Sequence, residues 1–478
     1  MELLQHLIGS LWVPRLCIKK GWNGGVGRIN CIAFHPTIAT FWVGTPGGGL
    51  WKTVDNGISW LPLTDNLIAN LGVSSIAIDP TNSDIIYIVT GDGETSSGIP
   101  SIGVFKTTNG GATWNSTGLI WNESQRVKAR KILIHPTQPS ILLLVTSKGI
   151  YKSINAGLTW VLKKSGNFFD IEFKPGSPSI LYACNQKDFF KSLDGGETWL
   201  IKTNGLPSTS NSLRLAIAVT PINPLEVYLV VGGPKGADPD DNFIGMYKST
   251  NSGNSFLLQS TAPNILGYEQ NGTDDESQAS YDIAILASYI TANLVAVGGI
   301  NVWCSTDAGL SWGTSKTYWV ENSAPAGQYV HADIHALEIN PLNNNWFAGT
   351  DGGIYFSTTN GNSWSSITSS LGIQQIYRVS EKDVIAGGMY VGTQDNGCNG
   401  FIGSVAQHVR GADCMEVHAE NGVVYAANNN GNDIYRYTGN PITGPNAWTN
   451  IQPQNDDGKW IIPLNFTLQI RCPLCGLR

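Results

Sequence analysis

Seven near-copies of one eight-residue pattern, Ser/Thr-x-Asp/Asn-x-Gly-x-Ser/Thr-Trp/Phe, constrain this chain more than any other feature. They read TVDNGISW (53–60), TTNGGATW (107–114), SINAGLTW (153–160), SLDGGETW (192–199), STNSGNSF (249–256), STDAGLSW (305–312) and STTNGNSW (357–364). Successive copies start 54, 46, 39, 57, 56 and 52 residues apart, a period that suits the blades of a β-propeller. The pattern has the chemistry of a tight strand-to-strand turn. Its Gly supplies a positive φ, and its Asp or Asn accepts bonds from turn amides that would otherwise go unpaired. Asp55, Asn109, Asn155, Asp194, Asn251 and Asp307 are therefore expected to act as structural turn staples. Thr359 takes that place in the seventh copy, and Phe256 replaces Trp in the fifth.

Around each copy lies a fuller unit of three or four short strands. RINCIAFHP, TFWVGTPGG, GLWKTVDNG and SWLPL make the first, and HADIHALEINP to STTNGNSW makes the seventh. Two further units without the eight-residue pattern follow, IYRVSEKDVIAGGMYVGTQDNG and MEVHAENGVVYAANNNGNDIYRYTG. The expected fold is an all-β propeller of at least seven blades, eight to ten when complete. Residues 22–460 are expected to form the propeller, 1–21 an irregular N-terminal segment, and 461–478 an irregular tail, truncated or frame-shifted.

Composition fits that reading and narrows the partners. The chain has 55 Gly and 23 Pro, with 14% charged residues, as many short strands joined by turns require. Its net charge of −7 argues against a nucleic-acid partner, which needs a concentrated basic footprint. No apolar run is long enough for a membrane-spanning helix. Cys398 and Cys414 flank one loop, where a disulfide and two unpaired thiols are both open readings. Cys472 and Cys475 lack a second ligand pair and are discounted as a zinc site.

Function is expected on the rim opposite the repeat turns, where the second and third strands of each blade join. Asp92, Glu94, Asp238, Asp240, Asp241, Asp351 and Asp395 all fall in those turns. Convergent carboxylates suit glycoside hydrolysis, and equally calcium binding or turn capping. No cofactor is expected, calcium being the one possibility. His331, Asp333 and His335 alternate at the start of the seventh unit and should share one strand face, about 7 Å apart. Together with Asp92 and Glu94 they are candidate ligand-binding residues. Trp22, Trp121, Trp319 and Tyr329 stand outside the repeat and are candidates for stacking on sugars or for packing between blades.

The repeats are Asp-boxes, also called BNR repeats. With GRINCIAFHP…VGTPGGGLWKTVDNGISW and HADIHALEINP…GTDGGIYFSTTNGNSW…GTQDNG, the chain resembles the secreted bacterial BNR-repeat proteins labelled glycosyl hydrolases. That group is similar to the sortilin-type propeller, which binds peptides and proteins, and to the family-74 xyloglucanases, which cut β-1,4-glucan backbones between two propellers. In the xyloglucanases the catalytic aspartates occupy a Thr-Asp-x-Gly-Gly turn. Thr350-Asp351-Gly352-Gly353 resembles it, and Asp395 is expected at a comparable place in the next unit. Thr45-Pro46-Gly47-Gly48 carries Pro46 where the base of those enzymes is expected. The main expectation is an extracellular or cell-surface scaffold recognising a glycan or a protein, leaning away from an enzyme. The alternative is a glycoside hydrolase with Asp351 and Asp395 as its carboxylates.

Overall fold

The computed structural model describes residues 16–19, 24–67, 72–94, 98–207, 214–234, 241–381, 388–402, 405–420, 423–428, 434–438 and 448–451. They fall into two compact units, residues 25–375 and residues 1–24 with 376–478. These boundaries differ from the expected 22–460.

The 25–375 unit contains seven sheets of consecutive antiparallel strands. Blade one comprises Cys31–Phe34, Phe41–Thr45, Gly49–Thr53 and Leu61–Pro62. The innermost strands of blades two to seven are Val73–Ile78, Ala129–Ile134, Phe168–Phe173, Arg214–Val219, Ala284–Ala287 and Ile334–Ile339. Second strands such as Ile86–Thr90 and Leu142–Thr146 are buried at every residue. Each is covered by a neighbouring blade on both faces, so its sequence runs apolar continuously and does not alternate.

Packing between blades closes the circle. Trp42 and Leu50 of blade one meet Val73 and Ile88 of blade two, and five further cores fill the gaps from blade two round to blade seven. A seventh core joins Phe347 and Ile354 of blade seven to Ile29, Phe41 and Trp60 of blade one. The backbone seals the same joint, with Ile29 N–H donating to Thr350 O and Val26 N–H to Gly352 O, each at 3.0 Å. Seven cores for seven blades leave no gap for an eighth, so this ring is complete at the lower bound of the expected count.

The repeat turns join third to fourth strands as expected. In the first, Gly57 N–H donates to Thr53 Oγ1 at 2.8 Å and Ser59 N–H to Asp55 Oδ1 at 2.9 Å. Asn109, Asn155, Asp194, Asn251 and Asp307 accept the corresponding amide. Thr359 does the same with a hydroxyl, accepting from Ser363 N–H at 2.9 Å. Gly57 holds φ at +86°, and a Cβ there would lie 2.8 Å from Ile367.

The other unit holds two sheets. Ile376–Glu381, Gly388–Thr393, Cys398–Ile402 and Val405–Arg410 form the first. Leu16–Lys19 adds a parallel strand to its edge, where an irregular segment was expected. The second is Cys414–Glu420, Val423–Asn428, Ile434–Thr438 and Thr449–Asn450. Cys398 and Cys414 form a disulfide that joins the two sheets, with Cα atoms 5.3 Å apart.

Candidate functional site

The start of each innermost strand and the turn between second and third strands lie at one end of a blade. In the seven-bladed ring these ends meet at the mouth of a central cavity of about 360 Å³, lined by the innermost strands of all seven blades. Polar side chains concentrate there. Arg28, just before blade one, is 2% exposed and places Nη2 2.6 Å from Asp92 Oδ2, in the turn of blade two. Its Nη1 donates to Tyr281 Oη at 2.9 Å. Tyr281 in turn donates to Asp351 Oδ2 at 2.6 Å, and His335 Nε2 lies 2.9 Å from Asp351 Oδ1. Five side chains from four blades thus form one network, buried except at the half-buried Tyr281.

Its electrostatics follow from that pairing. Burial pushes the Asp351 carboxyl up, yet His335, Arg28 and the Tyr281 hydroxyl outweigh it and hold the group well below the usual carboxylate range. Asp282, beside Tyr281, is shifted the other way. It is 1% exposed, and both oxygens lack a hydrogen-bond partner. Burial, with the charges of Asp333 and Asp351 added, raises it well above the ordinary value. Two carboxyls near the mouth are therefore shifted in opposite directions.

Three of the expected site residues are thus brought together, Asp92, Asp351 and His335. Glu94 lies beside them and accepts from Arg214 Nη2 at 2.8 Å. His331 and Asp333 do not join as expected. The strand begins only at Ile334, and Asp333 has φ +66°, which breaks the extended alternation. His331 instead packs against Gly352, whose added Cβ would lie 2.2 Å from the ring, while Asp333 accepts from Gln278 Nε2 at 3.2 Å. The three side chains therefore share no strand face. Among the described residues, no group of three or more His, Cys, Asp and Glu is placed to hold a metal ion.

Asp351 and Asp395 occupy different units and different turn positions. Thr350 Oγ1 donates to Gly353 O, three residues on, whereas Thr393 Oγ1 donates to Gly397 O, four residues on. The second turn is one residue longer, so Gln394 follows its threonine as Asp351 follows Thr350. Asp395 takes a left-handed conformation at φ +56° and is half-buried, its N–H donating to Asp413 Oδ1 at 2.8 Å. In blade one Thr45 Oγ1 accepts from Gly48 N–H at 2.8 Å, so the turn keeps its staple with Pro46 in it.

Asp238, Asp240, Trp22, Cys472 and Cys475 lie outside the described residues, as does the side chain of Asp241. Trp121 is buried against Tyr151. Trp319 is half-buried and meets Tyr268 edge-on, and Tyr329 meets Tyr355 in the same way. Packing accounts for all three. Arg28, Arg130, Arg214, Tyr281 and Asp282 were not singled out as site residues. Their shared signal is position, each standing at or just before the start of an innermost strand.

No protein-family model matches the chain. Curated relatives include a xyloglucanase of Hypocrea jecorina (strain QM6a), 29% identical over 149 residues, and xyloglucanase Xgh74A of Acetivibrio thermocellus, 29% identical over 143 residues. The matches cover 28% and 27% of this chain and 17% of each relative, so the chain spans a small part of their length. Among solved structures, the GH74 xyloglucanase from Xanthomonas campestris aligns with a TM-score of 0.66 at 18% identity, over 89% of this chain and 68% of that one. An ancestral GH74 enzyme aligns with a TM-score of 0.63 at 17% identity, over 92% and 63%. The curated relatives are xyloglucanases, and the leaning toward a non-enzymatic scaffold is corrected on that finding. The chain has an all-β propeller fold similar to that of GH74 enzymes.

Proposed function

We propose that this chain is part of a glycoside hydrolase acting on a β-glucan such as xyloglucan. The observation that carries the reading is 29% identity to two curated xyloglucanases over 149 and 143 residues. The two sheets of the other unit also fit this reading, as further propeller blades. Glycoside hydrolysis needs one carboxyl that gives a proton and one that takes a proton or attacks.

Asp395 is our candidate for a reacting carboxyl. It is half-buried and held in a left-handed conformation, a kind of backbone outlier that clusters at functional sites. Asp351 is given a different role. Both its oxygens are bonded and it is 1% exposed, so it acts as a positioning residue that fixes Tyr281, His335 and Arg28. The disulfide between Cys398 and Cys414 fits an oxidising, extracellular setting.

The test is reducing-end release from xyloglucan by folded wild type, Asp395→Asn and Asp351→Asn. A reacting Asp395 predicts loss of kcat with the fold intact. Wild-type kcat in folded Asp395→Asn rejects that assignment, and an inactive folded wild type rejects the hydrolase.

A further inference from the structure

Asp395 is held by a bond of a different kind from those that fix comparable turns of the ring. There, turns between second and third strands donate amides to main-chain carbonyls of the segments leading into innermost strands. Gly91 N–H meets Gly72 O at 2.8 Å, and Ser147 N–H meets Lys128 O at 2.7 Å. Asp395 N–H donates instead to a side chain, the Oδ1 of Asp413 at 2.8 Å, just before the strand Cys414–Glu420. A hydrogen bond to an ionised acceptor is roughly twice as strong as one between neutral groups.

The backbone is unusual at both ends of this bond. Asp395 has φ +56°, and Ala412, which precedes Asp413, has φ +65°. Residues other than glycine seldom adopt that region, and each needs surrounding structure to hold it there. The rest of the turn is tied within its own sheet. Thr393 N–H donates to Gly397 O at 3.0 Å, and Asn399 Nδ2 donates to Asn396 O at 3.0 Å. On either side of Asp395 the chain presses on the segment that carries Asp413. A Cβ on Gly392 would lie 2.3 Å from Cys414 O, and one on Gly397 would lie 1.9 Å from Arg410 O. The disulfide from Cys398 to Cys414 closes the same contact covalently. Asp413 thus fixes the main chain from which the Asp395 carboxyl projects. A reacting group displaced by about 1 Å can lose about a hundredfold in rate.

We propose that Asp413 is a positioning residue for Asp395, its carboxylate fixing the turn so that the Asp395 carboxyl faces the glycosidic bond. The proposal rests on the hydrolase reading with Asp395 as a reacting carboxyl. Asp413 acts through the main chain of Asp395 and takes no part in proton transfer.

The test pairs xyloglucan hydrolysis with hydrogen–deuterium exchange at the Asp395 amide, in the full chain, Asp413→Ala and Asp413→Asn. Asp413→Ala removes the acceptor. It should lower kcat and kcat/KM together by about ten- to a hundredfold and speed exchange at the amide. Asp413→Asn keeps an oxygen for the same bond and should restore slow exchange and most of the wild-type kcat. Wild-type kcat in folded Asp413→Ala, with the wild type active and Asp395→Asn inactive, overturns the positioning role alone. Equal loss of kcat in both variants assigns the effect to the charge of Asp413 and overturns it too. Fast exchange at Asp395 in the wild type overturns it without any variant having to fold. An inactive folded wild type, or an active Asp395→Asn, rejects the underlying reading and this role with it.

Discussion

Arg28 Nη2 and Asp92 Oδ2 lie 2.6 Å apart with both side chains buried, so the segment entering blade one is tied ionically to a turn of blade two. Removing one partner strands the other in a low-dielectric site. Arg28→Met should destabilise the ring by about 3–5 kcal/mol. Arg28→Met combined with Asp92→Asn should recover part of that loss, because the stranded charge goes too. Urea unfolding of the single and double variants measures the difference, and equal stability of the two contradicts the ion-pair account.

The repeat turns predict an acid-sensitive contribution to stability. Bonds from Ser59 and Thr53 pull Asp55 down to about 2. At Asp194, bonds from Thr198 and Ser192 overcome burial and reach about 2 as well. Both values lie below the unfolded carboxyl value of about 3.9. The contribution is therefore complete above about pH 4 and lost as pH falls through about 2. Asn serves the same turn at 109, 155 and 251, so Asp194→Asn should change stability at pH 7 by less than about 0.5 kcal/mol and weaken the pH dependence. Asp194→Ala leaves turn amides unpaired and should cost about 1 kcal/mol. Unfolding curves at pH 7 and pH 3 separate these outcomes.

Ring closure within residues 25–375 predicts that this segment folds alone. Expressed by itself, it should unfold cooperatively at the temperature of one transition of the full chain. Trp346→Ala, which empties a core between blades six and seven, should lower its stability by about 3–5 kcal/mol. A non-cooperative melt of the isolated segment would show that the ring depends on the remaining sheets.

The disulfide predicts a local effect. Cys398 and Cys414 are separated by 16 positions, and a closed loop of that size is worth about 3 kcal/mol. Cys398→Ser with Cys414→Ser should destabilise the two-sheet unit by about that amount and leave the ring's transition in place. Calorimetry resolves the two transitions.

Much of the ring was legible because its determinants are local. Each repeat turn needs a Gly, an amide acceptor and an aromatic within eight residues, and a hydroxyl at Thr359 fills the acceptor role when the carboxyl is absent. The blade count within the ring was not local. The repeat continues past residue 375, and long-range contacts such as the packing of Phe347 on Phe41 show where the circle shuts. The polar mouth was hidden for the same reason. Arg28 and Tyr281 are 253 residues apart, and no spacing rule links them. His331, Asp333 and His335 failed as a strand pattern because one left-handed residue, Asp333, delays the strand.

The most direct measurement of the central claim is the size distribution of xyloglucan, by size-exclusion chromatography, after incubation with protein shown to be folded by circular dichroism. The hydrolase account predicts shortened chains with new reducing ends, and their loss in Asp395→Asn. Full-length xyloglucan after prolonged incubation with folded wild-type protein contradicts it.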